Sequence, residues 1–238
     1  MTKKLLVVAA SGLVLAILLL SAAWVVGGKP LTAVMHNGGL HFTWDDDDHG
    51  DHGAQATRSL AFDPAVPLTV DAMVNLHFVR GDHPSMTVSG PARLVDAVHW
   101  QDGRLSQDEV HIFGHHSLRV DIVAPRLPPF TFAGAGNVTL DKIDQDDLQL
   151  DLSGAGNIDA NGRVNSITVK SSGAGSVDLG DLDAGDAKVN ASGVGNMDIN
   201  AHGKVNVSVS GVGNVTLHHK PAELTTQVSG VGSIDQDY

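Results

Sequence analysis

The stretch LQLDLSGAGNI, residues 148–158, joins alternating aliphatic and polar residues to the tetrapeptide Gly-Ala-Gly-Asn. Near-identical tetrapeptides recur through the C-terminal half of the chain, at residues 134–137, 154–157, 173–176, 193–196, 211–214 and 230–233. Successive copies start 20, 19, 20, 18 and 19 residues apart. A steady period near twenty is typical of a solenoid, in which repeated units stack and share one core.

The residues before each tetrapeptide follow the two-residue period of a strand that buries one face. Beyond Leu148, Leu150 and Leu152, the same alternation directs toward the core Ile167, Val169, Val205, Val207, Val209, Leu224 and Val228. A second inward set follows the tetrapeptides and comprises Val138, Leu140, Ile158, Val177, Leu179, Met197, Ile199, Val215, Leu217 and Ile234. The pattern predicts an all-β fold, a single parallel β-helix (β-solenoid) with about 19–20 residues per coil and right-handed crossovers.

Polar residues between the inward positions predict an outward column formed by Thr139, Asp159, Asp178, Asp198, Thr216 and Asp235. A structural role is favoured for this column. Calcium ligation is the weaker alternative, because the calcium-binding nonapeptide of β-rolls has a different period.

The glycines of the tetrapeptides are expected at corners, where the backbone adopts positive φ or approaches the next coil too closely for a Cβ. The Asn and Ser residues beside them can stack as a hydrogen-bonded ladder. Phosphate binding is disfavoured, because no helix pattern follows these glycines and no Gly-Lys-Ser/Thr sequence completes a P-loop.

Composition limits the classes of partner. The chain has 238 residues, 27 Gly, no Cys and a formal net charge of −12, which fits one elongated domain without a disulfide framework. The sequence lacks the stripe of Lys and Arg that binding to a phosphate backbone needs, so nucleic acid is not expected as a partner.

The N-terminal segment, residues 1–28, predicts export. Two lysines precede an apolar run over residues 5–26. Ser21-Ala22-Ala23 offers a small-x-small cleavage site for a signal peptide, but the run is also long enough to span a bilayer as an uncleaved anchor. Both alternatives place the rest of the chain beyond the inner membrane, in the periplasm or cell envelope, with the apolar run contacting the membrane.

Residues 29–57 predict a flexible Asp/His-rich linker without an apolar period. Its acidic and imidazole side chains belong to His36, His41, the run Asp45 to Asp48, His49, Asp51 and His52. Solvated chain is the favoured interpretation of such a tract. Metal binding is the weaker alternative, since clustered imidazole and carboxylate groups are metal ligands.

Strand signals continue from residue 58 to residue 129 without a regular repeat. They fall at Leu68 to Val70, Val74 to Val79, Met86 to Val88, Val98 to Trp100, Val110 to Ile112 and Leu118 to Val123. We expect irregular coils here, because the terminal repeats of a solenoid must differ in order to cover its core.

Residues 58–238 resemble the bacterial head GIN domain family. The resemblance is carried by Phe78-Val79-Arg80-Gly81, Asp102-Gly103-Arg104-Leu105, Val120 to Leu127 with Ala124-Pro125, and Ala133-Gly134-Ala135-Gly136-Asn137. Members of the family are often named auto-transporter adhesins. The resemblance implies an exported β-helical fold, commonly behind a signal peptide or lipid anchor, and transfers no catalytic residues.

Three functions are compatible with these features. The favoured one is a non-catalytic binding or adhesion module of the cell envelope, whose flat outer faces contact a glycan or a protein. The alternative is a structural protein that self-associates, because the last coil lacks a recognisable cap and an open edge invites pairing. We expect a second copy, the linker or Tyr238 to cover that edge.

A polysaccharide-active enzyme is the least favoured function. It would use neighbouring carboxylates of the outward column, such as Asp159, Asp178 and Asp198, because glycoside hydrolysis needs two carboxyl groups beside one bond. The doublets His115-His116 and His218-His219 are interpreted as loop residues. The sequence therefore predicts no catalytic, cofactor-binding or metal-binding residues.

Overall fold

The structure, a computed structural model, describes residues 32–36, 39–43, 54–108 and 117–238. The chain divides into two compact units, Met1–Asp51 and His52–Tyr238. No helix in the described part is long and apolar enough to cross a membrane. The apolar run at residues 5–26, predicted as a signal peptide or anchor, lies outside the described residues, as does the strand predicted at residues 110–112.

The first unit contains two antiparallel strands, β1 (Thr32–His36) and β2 (Gly39–Thr43), within the stretch for which the sequence predicts a flexible linker. Features of the nearby sequence are consistent with these two strands. Leu40 and Phe42 alternate with polar residues, and the dipeptide Asn37-Gly38, typical of tight hairpin turns, separates the two strands in the sequence.

The second unit is built almost entirely of strands. In its N-terminal part they are β3 (Gln55–Leu60), β4 (Leu68–Asp71), β5 (Met73–Arg80), β6 (Ser85–Pro91), β7 (Val98–Gln101), β8 (Arg104–Gln107), β9 (Leu118–Ala124) and β10 (Phe130–Phe132). In its C-terminal part they are β11 (Ala135–Leu152), β12 (Ala155–Ser171), β13 (Val177–Ala191), β14 (Met197–Ala201), β15 (Lys204–Val209), β16 (Val215–Leu217), β17 (Glu223–Val228) and β18 (Ile234–Gln236). One short helix, α1 (Ala92–Asp96), follows β6.

The C-terminal strands stack in parallel, one coil on the next, and confirm the predicted β-solenoid, which has about five turns. Strand β11 pairs with β12, β12 with β13, and β13 with both β14 and β15. The tetrapeptides lie above one another, since Ala155, Ala174, Val194, Val212 and Val231 form successive parallel bridges. Every strand is therefore hydrogen-bonded along the solenoid axis.

The predicted inward columns lie in the core, except in the last coil. Val138, Ile158, Val177 and Val215 are each only 1% exposed. Burial of an aliphatic side chain of this size contributes roughly 1.5–3 kcal/mol relative to its exposed state. The columns pass through every coil, so the coils share one continuous interior.

The last coil departs from the prediction. Leu224 and Val228 stand in register with buried Val205 and Val209, but Leu224 is only partly buried and Val228 is 46% exposed. Their positions along the strand are as predicted. They are not fully buried because no further described coil packs on β17.

The N-terminal part forms the predicted irregular coils, but with mixed pairing. Strands β5 and β9 pair in parallel, whereas β6 pairs antiparallel with both β3 and β9, and β7 pairs antiparallel with β8. Pairing direction is not visible in alternation alone, because both kinds of strand have the same two-residue period. The helix α1 was likewise not predicted; its buried Leu94 and Val95 lie one residue apart and show no period.

Close approach of neighbouring coils explains the corner glycines. Gly175 has φ = +143°, and a Cβ built on it would lie 1.7 Å from the carbonyl oxygen of Gly156. Gly195, on the following coil, also has a positive φ, and a Cβ built on it would lie equally close to the carbonyl oxygen of Gly175. Both features predicted to require glycine, a positive φ and the lack of space for a Cβ, therefore occur together at each of these two residues.

We predict that Gly175→Ala destabilises the solenoid by at least about 3 kcal/mol, because the methyl group would meet backbone that cannot move without separating two coils. The midpoint of thermal unfolding should fall by roughly 6–12 °C, measured by circular dichroism. The matched control is Gly180→Ala, where the nearest heavy atom to the built Cβ is 3.3 Å away and belongs to a side chain. Equal stability of the two variants would contradict this account of the corner.

Candidate binding surfaces

A ladder of Asn and Ser side chains runs along the corner, as predicted. Asn157 Nδ2 donates to Asn137 Oδ1 at 3.1 Å, and the backbone N–H of Ser176 donates to Asn157 Oδ1 at 3.1 Å. Further along, the N–H of Asn214 donates to Asn196 Oδ1 at 3.2 Å. These groups are engaged with one another from coil to coil, so the ladder has a structural role.

The outward aspartate column lies beside this ladder and forms what we call the acidic face. Thr139, Asp159, Asp178, Asp198 and Thr216 stand in register on five successive coils. The structure therefore brings the three candidate carboxylates together on neighbouring coils, at the spacing of paired strands, about 4.8 Å. Like charges placed directly opposite each other destabilise a sheet.

Burial and this repulsion both act on the pKa of Asp159. Partial burial raises its pKa above the usual range, and the carboxylates of Asp178, Asp141 and Asp181 raise it further. Two other carboxylates of the column have local partners. Asp178 accepts a hydrogen bond from the N–H of Gly180 at 3.0 Å, and Asp198 lies 2.9 Å from Nε2 of His218.

A charged cluster around His77 was not predicted. Nε2 of His77 lies 2.8 Å from Asp141 Oδ2, and its Nδ1 lies 3.6 Å from Asp121 Oδ1. The hydrogen bond with His77 lowers the pKa of Asp141 most, and a hydrogen bond from Asn161 lowers it further. The pKa of Asp121 is lowered chiefly by its hydrogen bonds from Arg119. The alternation in β5 places His77 on the outer face, but nothing in the sequence places these carboxylates beside it.

The histidines near the C-terminal end are surface residues. His219 packs edge-to-face on His202, with ring centroids 4.6 Å apart, while His218 pairs with Asp198. Among the side chains that the structure describes, no group of three or more His, Cys, Asp or Glu residues could hold a metal ion. His115-His116 and the Asp/His tract at residues 45–52 lie outside the described residues.

A third surface, which we call the polar face, is formed by the strand segments that precede the tetrapeptides. Its outward side chains form three columns across five coils. From the N-terminal coil onward they are Asp147, Gln149 and Asp151; Ser166, Thr168 and Lys170; Asp186, Lys188 and Asn190; Lys204, Asn206 and Ser208; and Glu223, Thr225 and Gln227.

Two clefts lie on the polar face. The larger has a volume of about 490 Å³, and the loop from Arg126 to Pro129 forms one wall of it while Gln149 lines the strand side. Gln145 holds this loop in place, because it accepts a hydrogen bond from the N–H of Leu127 at 2.8 Å and donates one to its carbonyl at 3.1 Å. The smaller cleft, about 140 Å³, lies between coils further along the same columns.

The family comparison agrees with the fold. A family model described as "Putative auto-transporter adhesin, head GIN domain" matches residues 67–221. No curated protein sequence matches the chain.

One solved structure shows a similar fold. A putative adhesin from Bacteroides fragilis NCTC 9343 aligns with a TM-score of 0.63 at 22% sequence identity, covering 77% of this chain and 97% of that chain. A putative adhesin from Parabacteroides merdae ATCC 43184 aligns with a TM-score of 0.47 at 16% identity, covering 77% of this chain and 96% of that chain. At this level of identity, the likeness to the Bacteroides protein shows the fold alone.

We predict that Asp159→Asn stabilises the protein at pH 7 by roughly 0.2–1 kcal/mol, because it removes a charge from a stack of like charges. A carboxyl group whose pKa is raised on folding favours the folded state below its unfolded pKa, and that contribution is lost as pH rises through the folded pKa. The gain in unfolding temperature, about 1–3 °C, should therefore be present at pH 7 and absent near pH 3. Thermal unfolding at both pH values measures it.

The control for this experiment is Asp82→Asn, which removes an exposed carboxylate outside the acidic face. It should leave the unfolding temperature unchanged at both pH values. A lower unfolding temperature for Asp159→Asn at pH 7 would mean that the carboxylate is held by a favourable contact.

Proposed function

The chain belongs to the head GIN domain family of putative auto-transporter adhesins, and from this premise we propose that it is an exported cell-envelope protein whose β-solenoid binds an external glycan or protein. The observation that carries the proposal is the polar face. Its columns are held in register by the hydrogen bonds between coils, so that hydroxyl, amide and charged groups repeat at a fixed spacing. A repeating surface suits a repeating ligand.

Rigidity supports the same function. Each polar column stands on strands whose backbone groups pair with neighbouring coils, on both sides for every described strand but the last, and whose inner residues pack in one core. The groups that contact a ligand are therefore already in place before binding. Preorganisation of this kind reduces the entropy lost on association.

We propose that binding is not accompanied by catalysis. The in-register carboxylates of the acidic face stand on coils about 4.8 Å apart, near the separation between two carboxyl groups that glycoside hydrolysis needs, but the column continues through Thr139 and Thr216, which carry no carboxyl group. The two clefts described above lie on the polar face instead. A polar column that recurs along the whole stack is typical of a structural surface.

Export is proposed from the sequence. Residues 1–28 act as a signal peptide or as an inner-membrane anchor, residues 29–57 connect them to the solenoid, and residues 58–238 form the β-helical domain. This arrangement places the binding surfaces in the periplasm or cell envelope, where the partner is an envelope or extracellular ligand.

We predict that clean deletion of the gene lowers attachment of the bacterium to its natural surface, or its biofilm mass, by roughly ten-fold, because many weak contacts act together. Crystal-violet staining and counts of adherent cells measure the change. Re-expression of the full chain from a plasmid is the control and should restore attachment. Unchanged adherence, a cytoplasmic location in cell fractionation, or release of reducing sugar ends by the purified chain would each contradict the proposal.

A second candidate function is self-association through the C-terminal coil. In the described structure, Val228 is 46% exposed and Val231 73% exposed, although both stand in register with residues of the preceding coil. Tyr238 does not cover them, since it is itself 54% exposed and its hydroxyl contacts Gln236. An apolar end with an unpaired strand edge is a template for another strand, and we propose a second copy as its partner.

We predict that the double variant V228K/V231K shifts the full chain from dimer to monomer, because each copy would bring two desolvated ammonium groups to the joined ends. Light scattering coupled to size-exclusion chromatography measures the mass. The control is Val194→Lys, a similarly exposed valine of the same corner column that lies two coils before the end. A wild-type chain that is monomeric at its highest soluble concentration would contradict self-association.

A further inference from the structure

Three lysines cross the polar face on a diagonal. Lys170 stands in register with Asn190, and Lys188 lies two residues before that partner on the next coil. The step repeats, because Lys188 stands in register with Asn206 and Lys204 lies two residues before it. Strand spacing and residue rise together place successive lysines of this diagonal roughly 8 Å apart.

The diagonal is a local exception in an acidic protein. The chain has a formal net charge of −12, yet the three coils that carry the diagonal present three lysines and one carboxylate, Asp186, on this face. Lys204 makes an exposed ion pair with Glu223, N to O 3.0 Å. Within residues 54–108 and 117–238, no ion pair involves Lys170 or Lys188. Two ammonium groups are thus free to meet a ligand.

The smaller cleft lies along this diagonal. About 140 Å³ in volume, it is lined by Lys188 and Lys204 together with the side chains of Ser166, Thr168, Asp186 and Asn206. The carboxylate in the cleft is already engaged, since Asp186 Oδ1 accepts the backbone N–H of Lys204 at 2.7 Å. Ammonium groups recognise anions, and the hydroxyl and amide groups between them suit the hydroxyl groups of a sugar.

We propose that the lysine diagonal binds an anionic polysaccharide, an extended chain of sugar units that carry carboxylate or sulfate groups. This inference rests on the proposed binding function and names the face and the ligand class. A sparsely charged chain fits better than a nucleic acid, because carboxylates at Asp147, Asp151 and Glu223 border the diagonal and would repel closely spaced phosphates. No aromatic residue belongs to the polar face, so bases have no side chain on which to stack.

The test uses the purified full chain and the triple variant K170Q/K188Q/K204Q. Retention is measured on surfaces coated with polygalacturonate, which carries carboxylates, with heparin, which carries sulfates, and with neutral dextran. We expect the wild-type chain to be retained on at least one anionic surface and not on dextran, with retention falling as sodium chloride is raised. The triple variant should bind at least about ten-fold more weakly, because it loses all three cationic contacts.

The matched control is K142Q/K220Q, which removes lysines outside the polar face and should leave retention unchanged. Unchanged unfolding temperatures of both variants show that the solenoid is intact. Equal retention of the triple variant and the wild type, or equal wild-type retention on dextran and the anionic surfaces, would overturn the inference. Those results leave the proposed adhesion function standing if gene deletion still lowers attachment. Normal attachment after gene deletion refutes adhesion and leaves the binding measurements unaffected.

Discussion

The hydrogen bond between one coil and the next is the interaction on which the rest of this structure depends. It sets a spacing of about 4.8 Å between equivalent residues, and at the corners this spacing leaves no room for a Cβ between Gly175 and the carbonyl of Gly156. The glycines recur for that reason. Once the corners are aligned, every other position of the repeat is aligned too, and side chains form columns inside and outside.

The repeat made the solenoid predictable, but only where it is regular. A glycine spacing near twenty and the alternation around it predicted the inward columns from Val138 to Leu217 and the Asn/Ser ladder. Strands such as β6 carry the same alternation yet pair antiparallel, because direction depends on turns and partners distant in sequence. The His77 cluster escaped prediction for a related reason, since Asp121 and Asp141 reach it from strands 44 and 64 residues away along the chain.

Register also distributes charge over the surface. A column that receives Asp on three successive coils becomes an acidic face, where partial burial and then repulsion raise the pKa of Asp159. On the polar face, three successive coils each place a lysine in a different column, and no two of these lysines are directly opposite. The acidic face therefore places like charges opposite one another, whereas the polar face separates them, although the same backbone supports both faces. In a chain of this fold, small sequence changes therefore alter the surface chemistry while leaving the core untouched.

The direction of the bonds between coils has a mechanical consequence. They all point along the solenoid axis, so a tension applied along that axis stretches one interface at a time and opens the weakest coil first. A tension applied along the strands instead shears all the bonds of an interface together. A ligand chain lying across several coils would spread its load over all of them. The solenoid should therefore yield more easily to a force along its axis than to a force along its strands.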